Sequence, residues 1–453
     1  MHIPRLGRLL STTSKMTRIP PRNPLIAIIG ATGTGKSQLA VEIAKRYNGE
    51  VINGDAMQLY EGLPIITNKI TPQEQEGIPH HLLGCIGLQE QTWVVGTFVR
   101  KALKVIEEIR SRGRLPILVG GTHYYTQSLL FKDRLAESDE AQEERDFVAD
   151  TSDKWPILKE PTEILLEELK KIDPVMAERW HPNDRRKIHR SLEIFLQTGQ
   201  RASDIYAEQR SEQAMEGAEM RFPTLLFWVH AEQQTLRARL DARVDKMLAQ
   251  GLLQEVETLD AVVKQEKAKS MSIDDSKGIW VSIGYKEFID YVQARRGGEA
   301  DAQGLLKLHA ASLEKTKAAT RQYSKRQVRW IRIKLLNALA DADAIEKLYL
   351  LDGSDVSQYE AAVVQPALDL TGQFLRAEDM SKPASLSNVA AEQLQPKCDD
   401  LASKPEDWAK QYCAVCDVTS VTPTQWQQHI TSNGHKKRAS KQRQRDQAMS
   451  SSP

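Results

Sequence analysis

The octapeptide GATGTGKS, residues 30–37, constrains the fold of this chain more than any other feature. It follows an apolar run, PLIAII, and opens a stretch with helical periodicity, SQLAVEIAKRY. A Gly-x4-Gly-Lys-Ser spacing between a strand and a helix is that of a phosphate-binding loop, whose backbone N–H groups and helix N-terminus face an anion. The candidate phosphate ligands are Gly30, Thr32, Gly33, Thr34, Gly35, Lys36 and Ser37, with Lys36 on the terminal oxygens and Ser37 on Mg²⁺.

Strand-like and helix-like segments alternate from residue 24 to about 130. The short apolar runs PLIAII, EVIN and LPILV are bounded by turn residues, whereas TFVRKALKVIEEIRSRG repeats apolar residues every three or four positions. This alternation predicts an α/β fold, a P-loop NTPase-like parallel sheet flanked by helices. A further run, TLLFWV at 224–229, indicates that the sheet resumes after an insertion.

The composition along the chain predicts six regions. The stretch from 133 to 153 is acid-rich, 160–215 has helical periodicity, and about 370–405 is rich in Ser, Ala, Pro, Gln and Lys. The predicted regions are a mitochondrial targeting segment (1–22), a P-loop core with a helical extension (23–132 and 216–345), a helical insertion (133–215), a linker region (346–405), a zinc finger (406–445) and a disordered tail (446–453).

The N-terminal segment has the composition of an organelle-targeting signal. The first 41 residues contain no Asp or Glu, and residues 1–22 carry five Lys or Arg beside a Ser/Thr cluster. An Arg-rich, Ser-rich, acid-poor start is typical of a mitochondrial transit peptide, and a disordered basic tail is the alternative. Met16 could serve as a second start, which would give mitochondrial and cytoplasmic pools, with the nucleus as a further compartment. No apolar run approaches the roughly 18 residues of a membrane span, so we expect a soluble protein.

The carboxylate that usually accompanies such a loop is missing. Enzymes that hydrolyse nucleoside triphosphates hold their metal with an acid at the end of a buried strand, but RLPILV ends in GGTHYY. The loop is therefore predicted to bind a di- or triphosphate without this hydrolysis machinery. Asp55 follows the second strand, at the edge where ligands of open α/β sheets collect, and could accept a proton from an amine. The alternative is that Asp55 only caps a turn.

The C-terminal module has the spacing of a zinc finger. Cys413-x2-Cys416-x12-His429-x5-His435 supplies four ligands for a closed, structural Zn²⁺ site. The chain has only four cysteines, too few for a disulfide framework, which favours a reducing compartment. Six Lys or Arg follow the second histidine, so we expect the finger to clamp an RNA backbone; a protein-docking finger is the alternative. The pair His80 and His81 is interpreted as packing, because neighbours in a strand point to opposite faces.

Two helical segments carry candidate cations. Residues 236–247 have an apolar stripe with Arg239 and Arg243 along its edge, which fits either a channel lining or a solvated face. Residues 315–334 contain eight Lys or Arg and no acid, with Arg321 and Lys325 one turn apart. The absence of acids in that run favours nucleic acid over an ordinary solvated surface.

Nine motifs, in order over about residues 24–335, together resemble those of the tRNA dimethylallyltransferase family, also called tRNA isopentenyltransferase, in its eukaryotic form with a zinc finger. They are GATGTGKS, INGDAMQLY, PIITNK, PHHLLG, LVGGTHYY, HPNDRRKIHRSLEI, RLDARVDKML, SIGYKEF and TRQYSKRQVRWI. The resemblance implies transfer of the dimethylallyl group of dimethylallyl diphosphate, with Mg²⁺, to N6 of the adenine just 3′ of the anticodon in tRNA. A loop that grips a diphosphate leaving group explains the missing acid.

The resemblance also implies residue roles. Asp55 matches the base, Thr122 a position near the reacting centre, and Arg243 the arginine on the diphosphate side. The implied contacts with the tRNA anticodon stem–loop are Asp55, Ala56, Met57, Gln58, Thr122, Arg186, Lys187, Ile188, His189, Arg190, Arg321 and Lys325. Two departures are DAMQ where the family often has DS at the first two positions, and Lys286 where bacterial members carry arginine.

Three functions from different classes fit the motifs, and for the first of them we expect a monomer. The first is the tRNA-modifying prenyltransferase. A small-molecule kinase, or an adenylate isopentenyltransferase making free cytokinin, would need neither the basic segments nor the finger. An RNA-binding protein that uses the loop as a nucleotide switch would not need Asp55, Thr122 and Arg243 together.

Overall fold

The computed structural model describes residues 19–132, 155–208, 219–269, 277–298, 301–395 and 410–450. The targeting segment predicted over 1–22 lies outside the described residues except for its last four. Residues 133–154 and 209–215 of the predicted insertion and 396–405 of the predicted linker also lie outside them. Within the described part of the chain, no helix is both long enough and apolar enough to cross a membrane.

Six parallel strands form the central sheet, which confirms the predicted fold class. Four of them coincide with the predicted apolar runs, and their burial on both faces is that expected for a parallel sheet covered by helices. The strands are β1 (Leu25–Gly30), β2 (Gly49–Asn53), β3 (His80–His81), β4 (Leu115–Val119), β5 (Thr224–His230) and β6 (Leu348–Asp352). Their order is β3-β2-β4-β1-β5-β6, so β1 lies between β4 and β5.

Helices cover both faces of the sheet. Their buried residues recur every three or four positions, as Phe98, Ala102, Ile106 and Ile109 do in the second helix. The helices before the finger include α1 (Lys36–Tyr47), α2 (Val95–Ser111), α3 (His123–Leu130), α4 (Thr162–Ile172), α5 (Pro174–Arg179), α6 (Arg185–Thr198), α7 (Gln233–Gln250), α8 (Leu252–Ala268), α9 (Tyr285–Gly297), α10 (Ala302–Trp330), α11 (Leu336–Asp341), α12 (Gln365–Leu375) and α13 (Asn388–Gln393). One core contains residues of α1 and α12, and the other contains residues of α2, α3, α8, α9 and α11.

The insertion between β4 and β5 is helical over 155–208, as predicted. Its helices α4, α5 and α6 enclose a core of their own, which includes Leu165, Leu169 and Leu192. The fully buried Asp173 accepts hydrogen bonds from the backbone N–H groups of Met176 (3.1 Å) and Ser203 (2.9 Å). The first bond satisfies a backbone N–H group in the first turn of α5, and the second connects α5 to the end of the insertion.

The linker predicted over 346–405 is wrong for residues 346–395. Strand β6 pairs with β5 at the edge of the sheet, with Leu226 opposite Leu348. After it, Val363 and Leu370 pack in the core on the α1 side. The strand escaped prediction because LYLLD is a short apolar run after the charged segment DADAIEK, and its burial depends on β5, more than a hundred residues earlier.

The C-terminal module is a ββα finger with a second helix. Strands β7 (Gln411–Cys413) and β8 (Val418–Ser420) pair antiparallel, and α14 (Pro423–Thr431) and α15 (Asn433–Ser450) follow. Thr422 caps α14 by accepting from the N–H of Gln425 (3.2 Å). The disordered tail predicted over 446–453 is wrong for 446–450, because α15 continues through these residues, and 451–453 lie outside the described part.

Candidate active site

The phosphate-type loop has the conformation that its glycines predict. Strand β1 ends at Gly30 with φ 147°, and α1 begins after Gly35 with φ 92°. A Cβ at Gly30 would collide with the carbonyl oxygen of Val229, and one at Gly35 would lie 2.5 Å from the hydroxyl of Tyr359. Both positions therefore require glycine for their backbone conformation and for close packing.

Lys36 lies inside this loop. Its Nζ donates to the carbonyl oxygen of Ala31 at 2.7 Å. Burial lowers the pKa of Lys36 to about 8; the negative charge of Asp55 opposes this shift and the positive charge of Arg243 adds to it. Ser37, the next residue, is half-buried in the first turn of α1. The loop thus presents an ammonium group and a hydroxyl group beside the N-terminus of a helix.

Asp55 follows β2 and is fixed by Asn53. The Asn53 side chain accepts from the Asp55 N–H (3.0 Å) and donates to the Asp55 carbonyl oxygen (3.0 Å). The Asp55 Oδ1 accepts from the N–H of Met57 (3.0 Å), so Asp55 does cap this turn, whichever further role it has. Burial raises the pKa of the Asp55 carboxyl, against the opposing effects of the Met57 N–H and of the charges on Lys36 and Arg243. A carboxylate in such a place is a stronger base than an exposed one.

The loop after β4 brings Thr122 to the same place. A Cβ at Gly120 would collide with the backbone of Gly54, so this glycine lets the loops after β2 and β4 touch. Thr122 Oγ1 accepts from the N–H of Ala56 at 3.0 Å. The half-buried Tyr323 lies beside the side chain of Thr122, and burial together with the charge of Asp55 raises the pKa of Tyr323. No acidic residue occupies 120–122, which agrees with the missing metal carboxylate.

Arg243 reaches the loop from α7. Its Nε donates to Asn68 Oδ1 (2.5 Å) and its Nη1 donates to Thr32 Oγ1 (2.9 Å). Burial lowers the pKa of Arg243 to about 10, and the charge of Asp55 opposes the shift. Arg239, one turn earlier, instead donates to the carbonyl oxygen of Gly353 (2.8 Å). Of the two arginines beside the apolar stripe, only Arg243 therefore faces the site.

Sequence reasoning missed four side chains that hold the site together. Tyr359 donates to the carbonyl oxygen of Gly35 (2.9 Å), and Gln327 accepts from the N–H of Thr32 (2.8 Å). The other two are Asn68, which binds Arg243, and Tyr323. Gln327 and Tyr323 belong to the motif TRQYSKRQVRWI, where only the positive charges drew attention; Tyr359 follows β6, in the segment taken for a linker.

Three of the predicted tRNA contacts, Ala56, Met57 and Gln58, have structural roles at the site. The N–H groups of Ala56 and Met57 bind Thr122 and Asp55. Gln58 Nε2 donates to the carbonyl oxygen of Asn68 (3.1 Å) and so supports the residue that binds Arg243. Their backbone and side-chain bonds therefore fix the loop that presents Asp55.

The predicted tRNA contacts on α6 lie away from the Asp55 site, on the insertion. Arg186 and Lys187 are exposed, while His189 and Arg190 are half-buried. Ile188 is fully buried in the core of the insertion, so the predicted contact of this side chain with tRNA is corrected. The sequence pattern could not separate Ile188 from its neighbours because the matched motif covers both faces of one helix.

The two predicted contacts on α10 differ from each other. Arg321 forms an ion pair with Asp241 of α7 (2.5 Å), and Lys317 forms another with Asp245 (2.7 Å). Lys325 is exposed on the outer side of the helix, next to Arg326. The helix therefore uses some cations to pack on α7 and presents others to solvent.

The four predicted zinc ligands come together. The ligand atoms of Cys413, Cys416, His429 and His435 lie within 4.8 Å of one another. The buried Nε2 of His429 has no hydrogen-bond partner among the described residues, as expected for a nitrogen that binds a metal. Two thiolates and two imidazoles suit tetrahedral Zn²⁺, so these residues fit the structural metal that the spacing predicts.

Comparisons with known proteins agree with this architecture. A family model described as IPP transferase matches residues 58–334, and one described as zinc-finger double-stranded RNA-binding matches 412–436. The chain is 37% identical over 438 residues to the tRNA dimethylallyltransferase of Schizosaccharomyces pombe, covering 93% of this chain and 96% of the relative. It is 34% identical over 427 residues to that of Homo sapiens, covering 93% and 87%. A crystal structure of a eukaryotic dimethylallyltransferase acting on tRNA superposes with a TM-score of 0.72 at 33% identity, covering 94% of this chain and 99% of the other.

Proposed function

Because the chain belongs to the IPP transferase family, we propose that it transfers the dimethylallyl group of dimethylallyl diphosphate to N6 of the adenine 3′-adjacent to the anticodon in tRNA. The observation that carries this proposal is that Lys36 and Arg243 both bind the loop of residues 30–37, close enough to the half-buried carboxylate of Asp55 for their charges to interact with it. Two cations beside a base suit a reaction in which a diphosphate leaves while an amine attacks. The relatives from Schizosaccharomyces pombe and Homo sapiens are named tRNA dimethylallyltransferase, after this activity.

The step that needs help is departure of the diphosphate. The allylic C1 of the donor is electrophilic because its developing cation is resonance-stabilised, whereas the adenine N6 lone pair is delocalised into the ring. When the C1–O bond breaks, its electron pair goes to the diphosphate. The Lys36 ammonium, the Arg243 guanidinium and the loop N–H groups are placed to stabilise that charge, and their burial strengthens the interaction.

Asp55 accepts the proton that the adenine N6 releases in the reaction. As the N6–C1 bond forms, N6 loses a proton, which the Asp55 carboxylate accepts. The raised pKa of Asp55 makes it a suitable acceptor, and the Thr122 hydroxyl lies beside the same turn. The adenine must leave the anticodon-loop stack to reach this place, as target bases of modifying enzymes generally do.

Magnesium would bind at the donor's phosphates. Among residues 30–37 the Ser37 hydroxyl is a hard oxygen donor of the type that Mg²⁺ prefers, and diphosphate oxygens and water would complete its shell. When bound, the ion would neutralise part of the diphosphate charge. Lys36 and Arg243 supply the two cations that belong to the chain itself.

The pH dependence of kcat/KM for the donor should have two limbs. Lys36 binds phosphate in its charged form, so the rate should fall as pH rises through about 8, where Lys36 loses its proton. Asp55 acts in its charged form, so the rate should fall as pH drops through a carboxyl pKa above the usual range. A pH profile of wild type and Lys36→Arg measures this. The arginine variant should lose the alkaline limb; an alkaline limb that is unchanged in the variant would contradict the assignment.

The tRNA would lie across the basic surfaces of α10, α6 and α15. Six Lys or Arg follow His435, and the finger matches a double-stranded RNA-binding module. Cations of this kind bind phosphates without reading sequence. We propose that the finger holds the anticodon stem–loop, while the site around Asp55 selects the adenine.

Loss of the finger's zinc should weaken tRNA binding more than catalysis. The Cys413→Ser/Cys416→Ser variant removes two ligands, and a site of this kind unfolds without its metal. The slope of log K against log salt should become shallower by about 0.9 for each duplex phosphate that the finger no longer neutralises. Titration of tRNA at several salt concentrations measures both quantities, with Cys85→Ser as the control cysteine variant. Unchanged affinity and slope would favour a protein-docking finger.

Incubation with labelled dimethylallyl diphosphate separates the three functions. Unmodified tRNA and AMP are offered in parallel, with unlabelled donor present in excess in a control. Label in tRNA supports the proposed function, and label in AMP indicates a free-nucleotide transferase. Label in neither acceptor favours an RNA-binding protein without this activity.

A further inference from the structure

Gln327 bridges two loops of the site from the last turn of α10. Its side chain is 4% exposed, and its Oε1 accepts from the N–H of Thr32 at 2.8 Å. Its Nε2 donates to the carbonyl oxygen of Gly121 at 2.9 Å. One amide thus joins the diphosphate-type loop after β1 to the loop after β4 that carries Thr122.

The side-chain amide of Gln327 satisfies both ends of this arrangement. The Thr32 end needs an acceptor and the Gly121 end needs a donor, and both partners are backbone groups that cannot exchange roles. A Cβ at Gly121 would collide with the Gln327 Nε2 and lie 3.1 Å from Asp55 Oδ2. The amide therefore contacts the loop close to the carboxylate of Asp55.

Neighbours on the same face of α10 also contact the site. Tyr323, one turn earlier, lies beside the side chains of Thr122 and Gln327. Trp330 Nε1 donates to Gln127 Oε1 of α3 at 3.1 Å. Positions 323, 327 and 330 share one helix face, so this face holds the loops and the helix around Asp55.

The outer side of the same helix is basic. Lys325, Arg326 and Arg329 are exposed there, within one turn of the inward-facing Gln327. An RNA backbone bound to these cations would contact α10, the helix whose Gln327 binds the loops after β1 and β4. A rigid helix with one face on RNA and the other on two substrate-binding loops is a physical connection between the two sites.

We propose that Gln327 is a positioning residue that couples tRNA docking on α10 to binding of the diphosphate at residues 30–37. It acts through Thr32 and Gly121 and does not touch the reacting atoms. Docked RNA fixes α10, and the amide then fixes the two loops in the arrangement that accepts the diphosphate. This inference rests on the proposed function, because it takes tRNA and a diphosphate as the two ligands.

The coupling is measured with inorganic diphosphate as an unreactive probe. Its Kd is determined calorimetrically for the full-length protein with Mg²⁺, first alone and then with a saturating anticodon stem–loop RNA. In wild type, RNA should tighten diphosphate binding by about tenfold, within the usual range of coupling between sites. In Gln327→Met and Gln327→Glu this ratio should fall close to one.

Controls separate coupling from general damage. Gln293→Ala removes another glutamine, bonded to Asp260 between α8 and α9, and should keep the wild-type ratio. Gln327→Glu keeps the length and volume of the side chain and carries the test should the methionine variant fail to fold. A wild-type ratio of one, or ratios in both variants equal to wild type, would overturn the proposal. Label transfer from donor to tRNA by the same wild-type preparation shows separately whether the proposed function stands.

Discussion

Replacing Asp55 with asparagine should lower kcat for transfer to tRNA by about 10²–10⁴-fold, the usual contribution of a general base. Asparagine keeps an oxygen that can accept from the Met57 N–H, so the turn is retained and only the proton acceptor is removed. Affinity for tRNA should change little, because the carboxylate binds no phosphate. Single-turnover rates and tRNA titrations measure the two quantities.

A second capping aspartate provides the control for this variant. Asp301 accepts from the N–H of Gly304 at the start of α10, outside the site. Asp301→Asn should therefore leave kcat near wild type. A fall in kcat of less than about tenfold in Asp55→Asn would mean that this carboxylate is mainly a turn cap, since a positioned base contributes more.

Replacing Arg243 with alanine should lower kcat by about 10²–10³-fold, the cost of removing one preorganised donor from a developing anion. The KM for the donor should rise as well, because Arg243 also holds Thr32 of the loop and Asn68. Arg243→Lys should recover only part of the loss, since a lysine cannot reproduce two directed bonds. Initial rates over a range of donor concentrations separate kcat from KM.

Arg239 offers a matched comparison on the same helix. It lies one turn before Arg243 but binds the carbonyl oxygen of Gly353, beyond the site. Arg239→Ala should therefore affect thermal stability more than kcat. Equal losses of kcat in the two alanine variants would show that α7 acts through its packing, and would remove Arg243 from the stabilisation of the leaving group.

Local sequence patterns correctly predicted those elements that depend on interactions between residues close together in the sequence. The glycine spacing of residues 30–37, the short apolar runs of four strands and the finger's ligands each depend on neighbours a few residues away. Their predicted places agree with the structure. The buried stripe on α7, Leu236, Leu240, Val244 and Met247, also follows from helical periodicity alone.

Contacts between segments that are far apart in the sequence could not be predicted from such local patterns. Gln327 binds Thr32 across 295 residues, and Tyr359 binds Gly35 across 324. Nothing near these side chains in the sequence indicates such partners, because the partners are backbone groups whose position only the assembled sheet determines. Strand β6 escaped prediction for the same reason: its partner β5 is remote.

The most direct measurement is a crystal structure of the protein with dimethylallyl diphosphate and Mg²⁺. We expect both phosphorus atoms within the loop of residues 30–37, beside Lys36, and the allylic carbon facing the carboxylate of Asp55. Phosphates bound away from Lys36, or an Asp55 side chain turned away from that carbon, would contradict this expectation.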